Sequence, residues 1–174
     1  MDLPLATAEL PLPQVAEGYE LVTVNAERVE LWAQALTLAF PDHPFTAAKL
    51  EEEFVNQPQF DAKGVFLILQ QGKPVATAFG WLDTPEERVT GRLHWVGCEE
   101  GHRGKGLGRA VVLAVLNYLK ARGLRRATLD TQPFRLPAIQ LYLDLGFVPY
   151  IGTSYEQLEA WSGVFRAFAA TRKR

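Results

Sequence analysis

Cysteine and histidine are scarce in this chain of 174 residues, and their scarcity excludes several kinds of site. Because Cys98 is the single cysteine, the chain can form neither an intrachain disulfide nor a cysteine-cluster metal site. The three histidines, His43, His94 and His102, do not follow the spacing of metal ligands. We therefore expect no metal in this protein.

Long apolar runs and an excess of basic residues are also absent. No apolar run reaches the roughly 18 residues that a membrane span requires. The first residues, MDLPLATAELPLPQ, are acidic and interrupted by proline, and they lack the basic and apolar regions of a signal peptide. The net charge of −2 and the isoelectric point near 5.9 argue against a general nucleic-acid-binding protein. We expect a cytoplasmic protein that binds neither a membrane nor nucleic acid.

The composition is that of a chain able to bury a core, with 48% hydrophobic and 22% charged residues. Residues 1–18 contain Pro4, Pro11 and Pro13, which predict an extended arm over the surface. Residues 19–174 predict a single domain, because no linker or internal repeat divides them.

The pattern of apolar residues predicts a mixed α/β protein. Strands are predicted at 19–24, 64–70, 73–83, 92–98, 125–131 and 147–151. Helices are predicted at 25–40 with Asn25 as N-cap, at 46–55, from the glycine-rich stretch to Gly123, at 137–145 and at 155–170. Because the strands cluster in the middle of the chain, we expect a mixed sheet with helices on both faces.

The stretch GHRGKGLGRAVV, residues 101–112, combines four glycines with Arg103, Lys105 and Arg109 and leads into an apolar helix. A helix N-terminus has unpaired N–H groups and the positive end of the helix dipole. Glycines let a bulky anion approach that backbone, and successive N–H groups then form a nest for phosphate oxygens. The stretch therefore predicts a phosphate-binding site, with pyrophosphate as the favoured ligand.

Three other interpretations of this stretch are open from the residues alone. A Walker P-loop would have serine or threonine after Gly104–Lys105, where this chain has Gly106. A dinucleotide-binding GxGxxG motif would use Gly106 and Gly108, but Val111 stands at the third glycine position. A glycine-rich helix entry that binds no ligand is the third.

Two motifs resemble those of the GNAT superfamily of acyl-CoA-dependent N-acyltransferases. Residues 103–108, RGKGLG, fit the R/Q-x-x-G-x-G/A pyrophosphate loop of that family. Residues 138–147, AIQLYLDLGF, are similar to its A-x-x-L-Y-x-x-x-G-F segment, and the strand LHWVGC stands where the family has its central strand. The resemblance implies a GNAT-like mixed, splayed central sheet with acetyl-CoA between two parallel strands.

The same resemblance implies which residues hold the cofactor. They come from the central strand, the glycine loop and the segment before residue 138: Val96, Cys98, Arg103, Gly104, Lys105, Gly106, Leu107, Gly108, Arg109 and Arg135. Arg135 departs from the family, which often has asparagine at this position. Its side chain is expected to contact a phosphate of the cofactor, to contact the adenine, or to be solvated. The predicted C-terminal helix is a second departure, because many members have a hairpin strand in its place.

Amine acylation requires a polarised thioester carbonyl, removal of the amine's proton and a stable leaving thiolate. A backbone N–H within 96–98 is the candidate for the carbonyl. Tyr142 matches the tyrosine with which the family protonates the thiolate; a tyrosine packed against Leu141 and Leu145 is the alternative. Cys98 is either a covalent nucleophile or, as we favour, a small packed side chain.

His94 is the candidate for accepting the proton of the amine. Strand alternation predicts that His94, Val96 and Cys98 lie on one face of the central strand. The position is similar to one where a member of the family carries a catalytic histidine, and histidine titrates in the useful range. A histidine satisfied within the sheet is the alternative.

The sequence as a whole predicts an acetyl-CoA-dependent N-acetyltransferase that transfers an acetyl group directly to a primary amine. Trp81, which precedes the acidic residues Asp83, Glu86 and Glu87, is expected nearest the acceptor. The acceptor itself, a small molecule or a peptide amine, is not identified by the sequence.

A non-catalytic acyl-CoA-binding sensor on the same fold is the alternative function. A homodimer through an exposed strand or the C-terminal helix is left open.

Overall fold

The computed structural model describes residues 1–25, 28–152 and 154–171. Residues 26–27 of the predicted helix 25–40, and residues 153 and 172–174 of the predicted domain, lie outside the described residues. The described strands and main helices are β1 (Asp2–Pro4), β2 (Tyr19–Thr23), α1 (Val29–Ala39), α2 (Ala47–Leu50), β3 (Val65–Gln70), β4 (Lys73–Trp81), β5 (Thr90–Cys98), α3 (Leu107–Ala121), β6 (Arg126–Thr128), α4 (Leu136–Asp144) and α5 (Tyr155–Thr171).

Six strands of the described residues form one mixed sheet in the order β1-β6-β5-β4-β3-β2. Neighbouring strands run antiparallel except β5 and β6. That parallel pair joins only Thr90–Arg92 to Arg126–Thr128, so the two strands separate beyond Arg92. The predicted mixed, splayed sheet is confirmed.

Helices cover both faces of this sheet, as predicted. The residues of β3 divide between the two layers, because Ile68 packs with the layer of α3, whereas Leu67 and Leu69 pack with α1 and α2. The α3 layer is aliphatic, and Val111 is among its fully buried members. The α1 layer is rich in aromatic rings around the fully buried Trp32. None of the described helices is long and apolar enough to cross a membrane.

The first residues of the chain belong to the sheet. β1 pairs antiparallel with β6, from Asp2 opposite Thr128 to Pro4 opposite Arg126. Leu3 is 3% exposed and Leu5 is fully buried, and both pack in the α3 layer. The prediction of an arm over the surface is therefore wrong for these residues, because Leu3 and Leu5, on either side of Pro4, fill the core at the open edge of β6.

The predicted last strand at 147–151 does not form among the described residues. Val148 makes only an isolated bridge with Asp2, and Pro149, which has no N–H to donate, follows it. β6 is also shorter than the predicted strand 125–131, because β5 separates from it and β1 offers only three residues for pairing.

Two predicted helices differ in detail from those observed. α1 begins at Val29 and has no side-chain cap, so Asn25 does not cap it. The predicted helix 46–55 occupies its expected place in two parts, of which only the first, α2, is α-helical. A π-helical segment, Glu51–Val55, follows directly.

Candidate active site

A groove of about 690 Å³ lies between the C-terminal end of β5 and the N-terminal ends of α3 and α4. The structure brings nine of the twelve predicted site residues to its wall: Val96, Cys98, Arg103, Gly104, Gly106, Leu107, Gly108, Arg109 and Arg135. The other three, His94, Lys105 and Tyr142, lie outside this wall. Phe40, Gly97, Phe134 and Leu141 also line the groove, and sequence reasoning did not assign them to the cofactor site.

The glycine loop forms the end of the groove at α3. Gly104 and Gly106 have positive φ angles of +77° and +78°, a left-handed backbone that favours glycine. α3 begins at Leu107, so the N–H groups of its first turn have no acceptor within the helix. A Cβ atom at Gly104 or Gly106 would meet nothing within 4 Å, so the space beside this backbone is open to a ligand.

Tyr19 ties the glycine loop to the edge strand β2. Its hydroxyl accepts a hydrogen bond from Lys105 Nζ at 3.1 Å and lies 3.0 Å from His102 Nδ1. His102 Nε2 is in turn 3.6 Å from Glu99. These contacts hold Lys105 against Tyr19, and Lys105 itself does not line the groove although His102, Gly104 and Gly106 do. Sequence reasoning missed Tyr19, because no local pattern reports a contact between residues 86 positions apart.

A β-bulge interrupts β5 beside the groove. Pairing with β4 steps from Thr77–Gly97 to Phe79–His94, so β5 advances by three residues while β4 advances by two. Trp95, inside this step, has a positive φ of +44°. An extra residue in one strand reverses the alternation of side chains beyond it.

His94 consequently faces away from Val96 and Cys98, and the prediction that the three share a face is wrong. Its ring lies in the aromatic layer of α1, with centroids 5.1 Å from Phe79 and 6.0 Å from Phe54. Val96 and Cys98 pack on the opposite side, against the α3 layer. The prediction assumed a regular strand, which the bulge breaks.

The surroundings keep His94 neutral. Burial, together with the charge of Arg92, lowers the pKa of His94 to about 4, while Asp83 and Asp130 act in the opposite direction. A neutral imidazole has one ring nitrogen that can accept a proton. The side chain therefore has the protonation state that a proton acceptor needs at neutral pH.

Replacing His94 with glutamine is expected to reduce the loss of stability at acid pH. Because folding lowers the pKa of His94 from 6.5 to about 4, the unfolded chain takes up the proton first as the pH falls. The contribution of neutral His94 to the free energy of unfolding is complete above the pKa of the unfolded state and is lost as the pH falls towards the pKa of the folded state. Allowing for the partial exposure of the ring, this contribution amounts to about 2 kcal/mol. Urea unfolding between pH 7 and about pH 4.5 measures it. Equal pH dependence in the two proteins would contradict a buried, neutral His94.

Arg92 connects β5 to Asp130, two residues beyond the end of β6, and to Asp83, which follows β4. Its Nε and Nη2 donate to the two carboxylate oxygens of Asp83 at 3.0 and 2.9 Å, and its Nη1 donates to Asp130. The hydrogen bond from Arg92 lowers the pKa of Asp83, and the same contact raises the pKa of Arg92. This ion-pair cluster joins the two strands where they begin to separate.

Tyr142 lies on α4 and is 6% exposed, with its ring centroid 5.9 Å from that of Phe147. Burial raises the pKa of its phenol to about 12, against a smaller opposite effect from the charge of Arg135. The phenol therefore keeps its proton at neutral pH and is a hydrogen-bond donor. Two residues of α4 near Tyr142 line the groove: Leu141, which precedes it, and Ala138, one turn earlier.

Cys98 lines the groove as a protonated thiol. Burial raises the pKa of this thiol, and its Sγ lies 3.6 Å from the carbonyl oxygen of Glu99. The carbonyl of Cys98 accepts a hydrogen bond from Arg103 Nε at 3.3 Å. A protonated thiol is a poor nucleophile, which fits the packing role better than the covalent one. Across the described residues, no group of three or more His, Cys, Asp or Glu side chains is placed to hold a metal ion.

Comparison with known proteins assigns the chain to a family. The acetyltransferase (GNAT) family model matches residues 29–147 of the chain. The chain therefore belongs to the GNAT acetyltransferase family, and the resemblance identified from its sequence is confirmed.

Similar proteins include both curated relatives and solved structures. The chain is 35% identical over 150 residues to a mycothiol acetyltransferase of Thermobispora bispora, covering 81% of this chain and 50% of that protein. It spans about half the length of the curated relatives it matches.

Two solved structures share the fold. A GCN5-related N-acetyltransferase from Sphaerobacter thermophilus has a TM-score of 0.67 at 24% identity, covering 83% of this chain and 45% of that one. The aminoglycoside N-acetyltransferase AAC(6')-Iy, solved in complex with CoA, has a TM-score of 0.63 at 17% identity, covering 79% and 92%. At these identities the likeness establishes the fold alone.

Proposed function

We propose that this protein is an acetyl-CoA-dependent N-acetyltransferase that transfers an acetyl group directly to a primary amine. The observation that carries the proposal is the glycine nest, residues 104–108, which opens onto the groove at the start of α3. Membership of the GNAT family and the CoA bound to a protein of the same fold support it. Acetyl-CoA is the acyl donor.

The nest and the strand edge suit different parts of CoA. The N–H groups at residues 104–108, with Arg103 and Arg109 in the groove wall, suit a pyrophosphate. Within the described sheet, β5 has no strand partner on its β6 side beyond Arg92. Backbone N–H and C=O groups on that side can bond the amides of the pantetheine arm, and one N–H within 96–98 can polarise the thioester carbonyl.

The transfer needs one bond to form and one to break. The amine nitrogen attacks the carbonyl carbon, and the C–S bond breaks with its electron pair on sulfur. The proton of the attacking amine passes through water to neutral His94, whose ring lies on the α1 side of β5, outside the groove wall. Tyr142 donates a hydrogen bond to the departing sulfur. Amine and thioester held together in the groove convert a bimolecular reaction into a unimolecular one.

We further propose a small molecule with a primary amine as the acceptor. A similar protein is named mycothiol acetyltransferase, and a protein of the same fold is named aminoglycoside N-acetyltransferase. An acceptor panel should therefore include the unacetylated form of mycothiol, aminoglycosides and peptides with a free N-terminus.

Thermal unfolding with added ligands tests the donor first. A ligand at one hundred times its dissociation constant adds about 2.7 kcal/mol of stability, which raises the midpoint by several degrees in a chain of this size. We expect a rise with acetyl-CoA and with CoA and none with NAD or ATP. The absence of a rise with either CoA compound would contradict the proposal.

Release of free CoA then measures transfer to each member of the acceptor panel. Turnover on one amine is the expected result. Tight binding of acetyl-CoA without turnover on any of them would favour the non-catalytic sensor instead.

A further inference from the structure

Arg135 places a positive charge inside the groove at the start of α4. Its guanidinium carbon lies 5.1 Å from the centre of the Phe40 ring and 5.7 Å from that of Phe134, and all three residues line the groove. Phe40 also packs against β5, because a Cβ atom at Gly97 would come within 2.9 Å of its ring. Arg135 and Phe40 therefore line the same groove as Gly97, which belongs to the bulged part of β5.

This charge has no counter-charge within the protein. In the part of the chain that the structure describes, no carboxylate forms an ion pair with Arg135, and its enclosed Nε has no hydrogen-bond partner. A guanidinium stays protonated in proteins, so it cannot escape the cost by losing its charge. An unpaired buried donor is unfavourable. The arrangement suits an anionic partner brought by the ligand.

The pyrophosphate of CoA is not the best candidate for that partner. The nest at residues 104–108, together with Arg103 and Arg109, already provides for it at the start of α3. The other anion of the reaction is the thiolate that forms when the C–S bond breaks. In the proposed binding mode this thiolate forms beside residues 96–98, which line the groove together with Phe40 and Arg135.

Tyr142 alone does not neutralise this thiolate. Its phenol has a pKa of about 12, whereas an ordinary thiol has a pKa of about 8.5. Full transfer of the proton from phenol to thiolate is therefore uphill by roughly three units. The sulfur then leaves as an anion that accepts a hydrogen bond, and a nearby cation stabilises it. Arg135 is close enough for its charge to act on Tyr142 itself.

We propose that Arg135 is a catalytic residue whose guanidinium, held on Phe40 at the edge of the groove, stabilises the thiolate of CoA as it leaves the acetyl group. Tyr142 donates a hydrogen bond to the same sulfur. The C–S electron pair stays on sulfur, no oxidation or reduction occurs, and the amine proton leaves by the route described above. The inference rests on the proposed function, because it needs CoA in this groove.

The ionisation of the CoA thiol in its complex with the enzyme tests this role. The far-ultraviolet absorbance of the thiolate is followed as a function of pH with saturating CoA, and again with saturating desulfo-CoA. Subtracting the second titration from the first removes the absorbance changes of Cys98 and the tyrosines. We expect the thiol of bound CoA to ionise about ten times more readily in the wild-type protein than in Arg135→Gln. Arg135→Lys, which keeps a positive charge, should retain most of this difference.

Steady-state kinetics give a second readout. Arg135→Gln and Arg135→Met are expected to lower kcat about 10- to 100-fold with little change in the KM for acetyl-CoA. Arg135→Met keeps an unbranched side chain against Phe40 and so controls for lost packing. Equal thiol ionisation in the wild-type protein and in either neutral variant, with CoA bound to both, overturns the proposal. Failure of the wild-type protein to bind CoA overturns the proposed function instead.

Discussion

Replacing Gly106 with valine is expected to weaken CoA binding at least about 100-fold, because two features of the nest are lost together. The φ of +78° at this residue is one that a β-branched side chain rarely adopts. The new side chain would also enter the open space where phosphate oxygens approach the N–H groups of residues 104–108. Isothermal titration calorimetry with CoA measures the dissociation constant.

Gly101→Val is the matched control for this substitution. Gly101 belongs to the same stretch, but its φ is not in the left-handed region and a Cβ atom there would meet nothing within 4 Å. We expect its affinity for CoA to stay within about twofold of wild type, as for a surface substitution. Thermal unfolding without ligand establishes that both variants fold. Unaltered affinity in folded Gly106→Val, or equal losses in both variants, would refute the placement of the phosphate.

Removing the hydroxyl of Tyr142 is expected to lower kcat about 10- to 100-fold, the value of one hydrogen bond to a charged group. The dissociation constant of acetyl-CoA should change little, because this bond strengthens only as negative charge develops on sulfur. Tyr142→Phe keeps the ring that packs on Phe147. Single-turnover measurements separate the chemical step from product release.

Tyr118 provides the comparison for Tyr142. Burial also raises the pKa of its phenol to about 12, but its hydroxyl donates to Asp61 at 2.8 Å, and neither residue lines the groove. Tyr118→Phe should keep normal turnover and lose about 1–2 kcal/mol of stability, because Asp61 loses its donor. Equal turnover in Tyr142→Phe and the wild-type protein would remove Tyr142 from the mechanism.

The glycine-rich entry to α3 was predictable because its physical causes are local. The apolar run after the glycines forms α3 at once, and Gly104 and Gly106 adopt the left-handed backbone that glycine tolerates. The order of strands and helices from β2 to α4 followed from hydrophobic periodicity in the same way. Both inferences use only residues that are neighbours in the chain.

The features that escaped prediction depend on pairing between distant segments. The bulge in β5 is defined against β4, and it moves His94 to the face opposite Val96. The contact of Tyr19 with Lys105 joins the first long strand to the glycine loop. β1 forms because β6 has an open edge and Leu3 and Leu5 find space in the core. No window of sequence contains both partners of such contacts.

The early separation of β5 from β6 gives the protein a free strand edge in the middle of its sheet. Edges of this kind are templates on which another chain can add a strand, and most sheets confine them to their margins. Here the edge cannot be closed by a longer β6 without removing the groove. The edge that we propose receives the pantetheine arm is thus also a template for aggregation, and acyl-CoA bound there would cover it.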